Sequence, residues 1–279
     1  MSAIYNLKEL LTPAYKNNFA VLACNIRHPL IMRACLDAAF QLKAPIILEI
    51  AESEQFYCDW SPEQVAEEVL MAIEVCAHYF GYRIPVGLHL DHVQKDESLI
   101  DRAVKAGFRS ALLDLSRLSD QENYARCAHQ AQLLHAQNVS LEIEQGCIGF
   151  AKDLPQDVSQ LYVTVDQAVA AVDAVHPDAL AIAVGNGHGL YTETPHIGFE
   201  RIKEVARALR GTETPLVLHG GSGLSLAVFS QAVASGINKV NYATALSDFL
   251  FAHLPADLLG QINQAATEQK VEQRKVLGQ

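Results

Sequence analysis

Short, almost continuously apolar runs recur along the chain at 19–24, 45–50, 85–90, 110–115, 139–143, 179–184, 215–218 and 238–240. Runs of this length and character suit strands buried on both faces. Between them lie longer segments with helical spacing of apolar residues, at 29–42, 61–80, 95–106, 120–137, 165–175, 197–209 and 225–235. Ser61-Pro62 supplies an N-cap followed by proline at the first helical position, and Gly81, Gly107, Gly211 and Gly236 stand where helices are expected to stop. Strands and helices alternating across short connections predict parallel βαβ units, and eight of them predict a closed (β/α)8 barrel, the TIM-barrel architecture. No low-complexity linker or composition shift interrupts the series. A single domain over 1–279 with a C-terminal helical extension is expected.

The residues that end these runs are polar. Asn25 closes the first, Glu49 lies near the end of the second, and the third runs into His89, Asp91 and His92. The fourth contains Asp114, the fifth Glu142 and Glu144, and the last three lead to His188, His219 and Asn241. The carboxyl ends of barrel strands form the active-site face. One polar residue there can simply cap a buried strand; the whole set is expected to converge on one site.

Composition narrows what that site can serve. Half of the 279 residues are apolar and 19% are charged, with 21 Lys and Arg against 32 Asp and Glu, a net charge of −11. This excludes a disordered chain, a collagen-like repeat and a nucleic-acid coat, and it argues against nucleic acid or an anionic membrane as partner. No apolar run approaches the ~20 residues that span a bilayer, and the opening MSAIYNLKELL lacks the basic and apolar regions of a secretory signal. Cys24, Cys35, Cys58, Cys76, Cys127 and Cys147 form no CxxC pair and read as buried small hydrophobes in a reducing compartment. The expected location is the cytoplasm. An anionic ligand would need local positive potential, from a metal or from helix N-termini.

Three histidines, His92, His188 and His219, come from strands three, six and seven, in the contexts GLHLDHVQ, AVGNGHGLY and LVLHGGSGL. Neutral imidazoles are common zinc ligands, and three protein ligands leave a fourth position open to substrate or water. The glycine-rich run His219-Gly220-Gly221-Ser222-Gly223 and the run Asn241-Tyr242-Ala243-Thr244 follow strands seven and eight, where barrels frequently bind phosphate with backbone N–H groups. Ser222 and Thr244 can add hydroxyl donors. Each run by itself also suits an ordinary tight turn.

Taken in order, these motifs resemble the class II, zinc-dependent ketose-bisphosphate aldolases of the fructose- and tagatose-bisphosphate type. The resemblance covers almost the whole chain. It runs from Phe19-Ala-Val-Leu-Ala-Cys-Asn25 through HLDH at 89–92, LEIEQGCIG at 141–149, GHGLY at 187–191 and LHGGSG at 218–223 to KVNYAT at 239–244. It implies one catalytic Zn²⁺ held by His92, His188 and His219, with Glu144 and Asp114 at a neighbouring cation position. It also implies Asp91 as the acid/base group at the aldehyde oxygen and Asn25 as a stabiliser of the enediolate. Gly189, Gly220, Gly221, Ser222, Asn241 and Thr244 match residues around the phosphate. The expected partner is a phosphorylated sugar, and the expected assembly a homodimer or homotetramer. Asp91 can alternatively orient a neighbouring histidine.

Departures from the family pattern bear on the substrate. The loop after strand five reads Gly149-Phe150-Ala151-Lys152-Asp153 where the family has two glycines followed by acids. Either Asp153 takes over the proton of bound dihydroxyacetone phosphate, or transfer is slow, or the substrate differs. Asp114-Leu115-Ser116-Arg117 replaces Asp-Gly-Ser-His, and Ala243 stands where the family has an aspartate. Arg117 can read a distal anion or be an ordinary surface arginine. The loop 146–160 is expected to be mobile without ligand and to close over it. Competing readings are a weakened barrel that binds phosphosugars as a sensor, and a metal-dependent hydrolase, which would usually carry a His-x-His pair on the first strand. A Schiff-base aldolase is disfavoured because His188 occupies the end of strand six, where its lysine would be expected.

Overall fold

The computed structural model describes residues 4–191, 193–270 and 273. Eight parallel strands close on themselves in sequence order, each hydrogen-bonded to the next and the last to the first. They are β1 (Val21–Asn25), β2 (Ile46–Ala51), β3 (Val86–Val93), β4 (Ser110–Leu113), β5 (Ser140–Gln145), β6 (Ala179–Ile182), β7 (Leu216–Leu218) and β8 (Ile237–Tyr242). Around them run α2 (Pro29–Leu42), α4 (Pro62–Phe80), α5 (Ser98–Ala106), α6 (Asp120–His135), α7 (Val165–Val175), α8 (Phe199–Ala208) and α9 (Leu226–Ser235). Further helices are α1 (Leu7–Asn17), α3 (Glu52–Cys58), α10 (Thr244–Ala252) and α11 (Ala256–Gln269).

Local chemistry sets most boundaries. Ser61 caps α4 by accepting from the Gln64 amide, Pro62 opens the helix, and Gly81 ends it at φ 75°. α5 starts three residues later than its apolar pattern suggests. The Glu52 carboxylate accepts the backbone N–H groups of Gln94, Lys95 and Asp96, and Asp96 accepts that of Ser98. That segment is a clamped turn. Gly211 is not a helix stop: α8 ends at Ala208, and Gly211 lies in the turn beyond it.

The barrel's two ends differ in polarity. Leu7, Leu10, Leu11 and Ala14 form the buried face of α1 and pack with Val21, Ala23, Ile47, Ala179, Ala181 and Val217. This helix plugs the barrel away from the strands' carboxyl ends. Burial of each leucine stabilises by ~1.5–3 kcal/mol. Higher up, the alternation of side chains along a strand turns polar residues inward: Glu49, His89, Glu142 and Lys239 are all fully buried. Above the α1 plug charged residues fill the inside, and most of the strands' larger apolar residues pack outward with the helices.

Candidate active site

β3 does not pair regularly to its end. Its register with β4 shifts between Leu90 and Val93, and His92 adopts φ 43°, a conformation that non-glycine residues seldom occupy. The bulge lets two consecutive residues serve one site. Asp91 points into the barrel, 2% exposed, and His92 stands beside it with Nε2 3.9 Å from Asp91 Oδ1. The bonds from Glu52 to the following turn hold this geometry from outside.

His92, Glu144, His188 and His219 each offer one ligand atom, and these atoms all lie within 4.8 Å of one another. The imidazoles surround a common point, with ring centroids 4.9 Å (His92 to His188), 4.7 Å (His92 to His219) and 5.9 Å (His188 to His219) apart. His92 Nδ1 donates to Asp114 Oδ2 at 2.9 Å, which leaves Nε2 as the nitrogen that can bind a metal once it gives up its proton. That Nε2 is buried and has no hydrogen-bond partner. His219 is held on both sides, Nε2 at 3.1 Å from Glu142 Oε1 and Nδ1 at 3.1 Å from Glu144 Oε2. An N–H must occupy each of these contacts while both carboxylates are ionised. The proton between Nδ1 and Glu144 therefore lies where a cation can replace it. A partnerless buried nitrogen and a replaceable proton among nitrogen and oxygen donors are what a divalent metal such as zinc requires. Asp114 has a different position from Glu144: it stands behind His92 and receives the Ser116 hydroxyl at 2.7 Å.

Electrostatics follow the same arrangement. Burial would lower His219, but its bonds to Glu142 and Glu144 raise its pKa to about 9. His92 is likewise raised well above the usual histidine value, with Asp91 and Asp114 overcoming burial. Burial, together with the charges of His92 and His219, pushes His188 down to about 3, so it stays neutral. Burial would raise Asp91, yet His92, His219, Lys239 and His89 together hold it below the ordinary aspartate value. Asp91 is therefore a carboxylate at neutral pH. The amides of Asn25 and Asn241 donate to it at 3.3 and 3.4 Å. Asn25 also donates to Glu54, which forms an ion pair with Arg27.

Beneath the histidines lies a second polar layer. Lys239 Nζ stands 2.9 Å from Glu142 and 3.4 Å from Glu49, and donates to Asn241 Oδ1 at 2.8 Å. Burial raises Glu49 to about 8 despite Lys239, so at neutral pH Lys239 chiefly balances Glu142. Glu49, His89 and Asp91 also offer three close ligand atoms. With Glu49 neutral, that group carries one ionised carboxylate beside the Lys239 ammonium, a weaker charge match for a divalent ion than the histidine quartet.

The phosphate-type loops are tied to this centre. Ser222 Oγ accepts the N–H groups of Ala243 and Ala245, at 3.1 and 3.2 Å, fixing the start of α10, where Thr244 and Asn241 are buried. Tyr191 joins two loops, accepting from the Gly187 amide and donating to the Gly220 carbonyl. Gly220 has φ 69°, and a Cβ there would lie 2.1 Å from the Gly187 carbonyl oxygen, so the loops meet only through glycine. Gly221 hydrogen-bonds Asn241, whereas Gly189, at φ 95°, faces open space.

The loop after β5 is strapped at its start. Ala151 N–H donates to the His188 carbonyl and His188 N–H to the Gly149 carbonyl, both at 2.8 Å. A short 3-10 turn follows at Ala151–Asp153. The half-exposed Phe150 ring lies 6.5 Å from the His188 ring, and Lys152 Nζ lies 5.9 Å from the Phe150 ring. Asp153 is exposed and its carboxylate has no hydrogen bond or ion pair among the described residues. The structure thus brings Asn25, Asp91, His92, Glu144, His188, His219 and Asn241 together and leaves Asp153 outside. Five cysteines are buried as expected, but Cys147 is exposed beside the mouth.

Several residues at the site carried no signal in the sequence. Glu52, Glu54 and Arg27 act through α3 and the turn after β1, whose short segments show no periodicity. Lys239 lay inside a predicted strand, and only its parity with Asn241 marks it as inward.

The model of class II fructose-bisphosphate aldolases matches residues 5–279. Among solved structures, the YdjI aldolase of Escherichia coli K12 is similar over 99% of this chain and 92% of its own, with a TM-score of 0.72 and 24% identity. A candidate fructose-1,6-biphosphate aldolase of Coccidioides immitis matches 96% of this chain and 92% of its own, with a TM-score of 0.74 and 26% identity. The fructose-bisphosphate aldolase of Campylobacter jejuni matches 96% of this chain and 83% of its own, with a TM-score of 0.71 and 25% identity. With a family match over nearly its whole length, the chain belongs to the class II fructose-bisphosphate aldolases and is a carbon–carbon lyase.

Proposed function

We propose that this enzyme is a zinc-dependent aldolase that cleaves and forms a phosphorylated ketose of the 1,6-bisphosphate type through the enediolate of dihydroxyacetone phosphate. The observation that carries the reading is the quartet His92, Glu144, His188 and His219 within 4.8 Å, with His92 Nε2 partnerless. The three histidines would hold the ion, with Glu144 at its edge. Bound there, it supplies a Lewis acid for the negative charge that develops on the ketose oxygens.

The chain's own residues do the proton work. In cleavage the Asp91 carboxylate takes the proton of the C4 hydroxyl. The C3–C4 electron pair passes to the dihydroxyacetone phosphate half, and the C4 oxygen becomes the aldehyde carbonyl. Asn25 and Asn241 hold Asp91 by their amides. Asn25 stabilises the enediolate by exchanging one of its present bonds. Ser222, Thr244, Gly189, Gly220, Gly221 and Asn241 receive the phosphate near the start of α10, where backbone N–H groups favour an anion. When the loop moves inward, Asp153 relays a proton from solvent to C3 of the enediolate, and Asp91 gives up the C4 proton to solvent.

A second reading differs in the aldehyde partner. Lys152, in a position where the family has an acid, supports a substrate outside the usual bisphosphates. The enzyme works in the cytoplasm as a homodimer or homotetramer. The exposed apolar residues Leu42 of α2 and Met71 and Tyr79 of α4 support self-association. Among the described residues no helix is long and apolar enough to cross a membrane. A screen of ketose phosphates that reads dihydroxyacetone phosphate release tests the reading. Release from at least one ketose 1,6-bisphosphate is expected. Release from none of the ketose phosphates would contradict the proposed substrate class.

A further inference from the structure

We propose that Lys239 is a positioning residue that sets two working groups at once: the tautomer of His219 and the amide orientation of Asn241. The first arm runs through Glu142. Lys239 Nζ holds Glu142 Oε2 at 2.9 Å, while Glu142 Oε1 stands 3.1 Å from His219 Nε2. A carboxylate fixed in this way demands an N–H on Nε2, which makes Nδ1 the nitrogen presented to Glu144 and to a metal.

The second arm runs through Asn241. An ammonium has three donors and no acceptor, so only the carbonyl oxygen of the Asn241 amide can face it. That contact is 2.8 Å. The amide nitrogen is then forced toward Asp91, whose Oδ1 it reaches at 3.4 Å. Turned over, Asn241 would set its NH2 against the ammonium and its oxygen against the carboxylate, two repulsions for two bonds.

Both arms start from one fully buried side chain, 0% exposed, whose ion pairs among the described residues are with Glu49 and Glu142 and not with the four candidate metal ligands. The bland account is that Lys239 only neutralises buried carboxylates. The two accounts separate on readouts other than stability. The inference rests on the zinc-aldolase reading above.

The test compares Lys239→Met, Glu142→Gln and the double variant with the native enzyme. Folding is read by circular dichroism, zinc affinity by competition with a chromophoric chelator, and kcat and KM are measured at saturating zinc with fructose 1,6-bisphosphate or tagatose 1,6-bisphosphate. Lys239→Met is expected to weaken zinc by ~10–100-fold and, with zinc saturating, to lower kcat by more than it changes KM. Glu142→Gln is expected to weaken zinc but to lower kcat at saturating zinc by less than Lys239→Met does, because Lys239 still holds Asn241. If Lys239→Met does not fold, the double variant, which leaves no lone charge in the Lys239–Glu142 pair, carries the comparison and is expected to show both effects. A folded variant lacking Lys239 that binds zinc within twofold of native, or whose kcat at saturating zinc matches that of Glu142→Gln, overturns the proposal. A native enzyme with no zinc affinity overturns the functional reading instead.

Discussion

Asp91 and His92 are consecutive residues, yet both serve one site, with Asp91 Oδ1 3.9 Å from His92 Nε2. In a regular strand they would point to opposite faces. The register shift after Leu90 and the φ of 43° at His92 remove that constraint, and Asp114 then locks the His92 ring through Nδ1. A buried carboxylate is thereby set one residue from a candidate metal ligand.

Asp91→Asn tests that division of labour. The amide keeps size and hydrogen bonding but carries no proton in the working range. Cleavage is expected to fall by ~10²–10⁴-fold while zinc affinity and fold persist. Steady-state kinetics beside a chelator titration checks this. An unchanged cleavage rate would leave Asp91 only the task of orienting His92.

His188→Ala is expected to lose zinc retention and cleavage together, since among the described residues His188, unlike His92 and His219, has no carboxylate hydrogen bond and is already neutral. Metal analysis after gel filtration, set against activity, is the check. Retained activity with lost metal would break the link between the two.

Zinc uptake should be coupled to proton release. His219, at about 9, and His92, raised well above its usual value, both carry protons in the metal-free protein at pH 7. Ligands must be deprotonated to bind, so affinity rises with pH toward about 9 and falls below it. Calorimetry in two buffers of different ionisation enthalpy should show protons leaving at pH 7. No release would contradict the assignment of these two rings.

Glu49 gives a stability test with a definite sign. Its folded pKa of about 8 lies above the ordinary glutamate value of 4.5, because burial disfavours the charge. The unfolded chain therefore ionises first, and this group's stabilising contribution is full below about 4.5 and lost as pH rises toward about 8. The slope is at most ~1.4 kcal/mol per pH unit. Glu49→Gln should match the native protein near pH 4.5 and exceed it near pH 8, as read by denaturant melts. Parallel curves across that range would refute the assignment.

Much of this architecture was legible from the chain because each strand is a short apolar run ended by a polar residue. β2 and β3 begin within a residue of the apolar runs that predicted them. The three histidines were legible because each stands where a strand gives way to a glycine or a turn. Depth was not. Glu49, His89 and Glu142 read as rim residues, yet they lie below the histidines, since two positions along a strand separate rim from interior. α1 lies outside the predicted helices, although Leu7, Leu10, Leu11 and Ala14 recur at helical spacing. Its role as a plug becomes visible only when the barrel closes around it.

Lys152 and Asp153 in the loop after β5 test the proposed route of the C3 proton. Asp153→Ala should suppress proton exchange on dihydroxyacetone phosphate while zinc stays bound, and Lys152→Glu should accelerate exchange or leave it unharmed. The measurement is hydrogen exchange at C3 followed by NMR. Loss of turnover of the true substrate in Lys152→Glu would make Lys152 a specificity residue. The strap of Ala151 onto His188 restricts any closing motion to the part of the loop beyond it.

The central claim is that cleavage depends on a metal held by His92, His188 and His219. It is tested most directly by following dihydroxyacetone phosphate release from the best ketose bisphosphate in the native enzyme, after stripping with a chelator, and after zinc is restored. The account predicts that release stops on stripping and returns with stoichiometric zinc. Undiminished release by the stripped enzyme, verified metal-free, would contradict it.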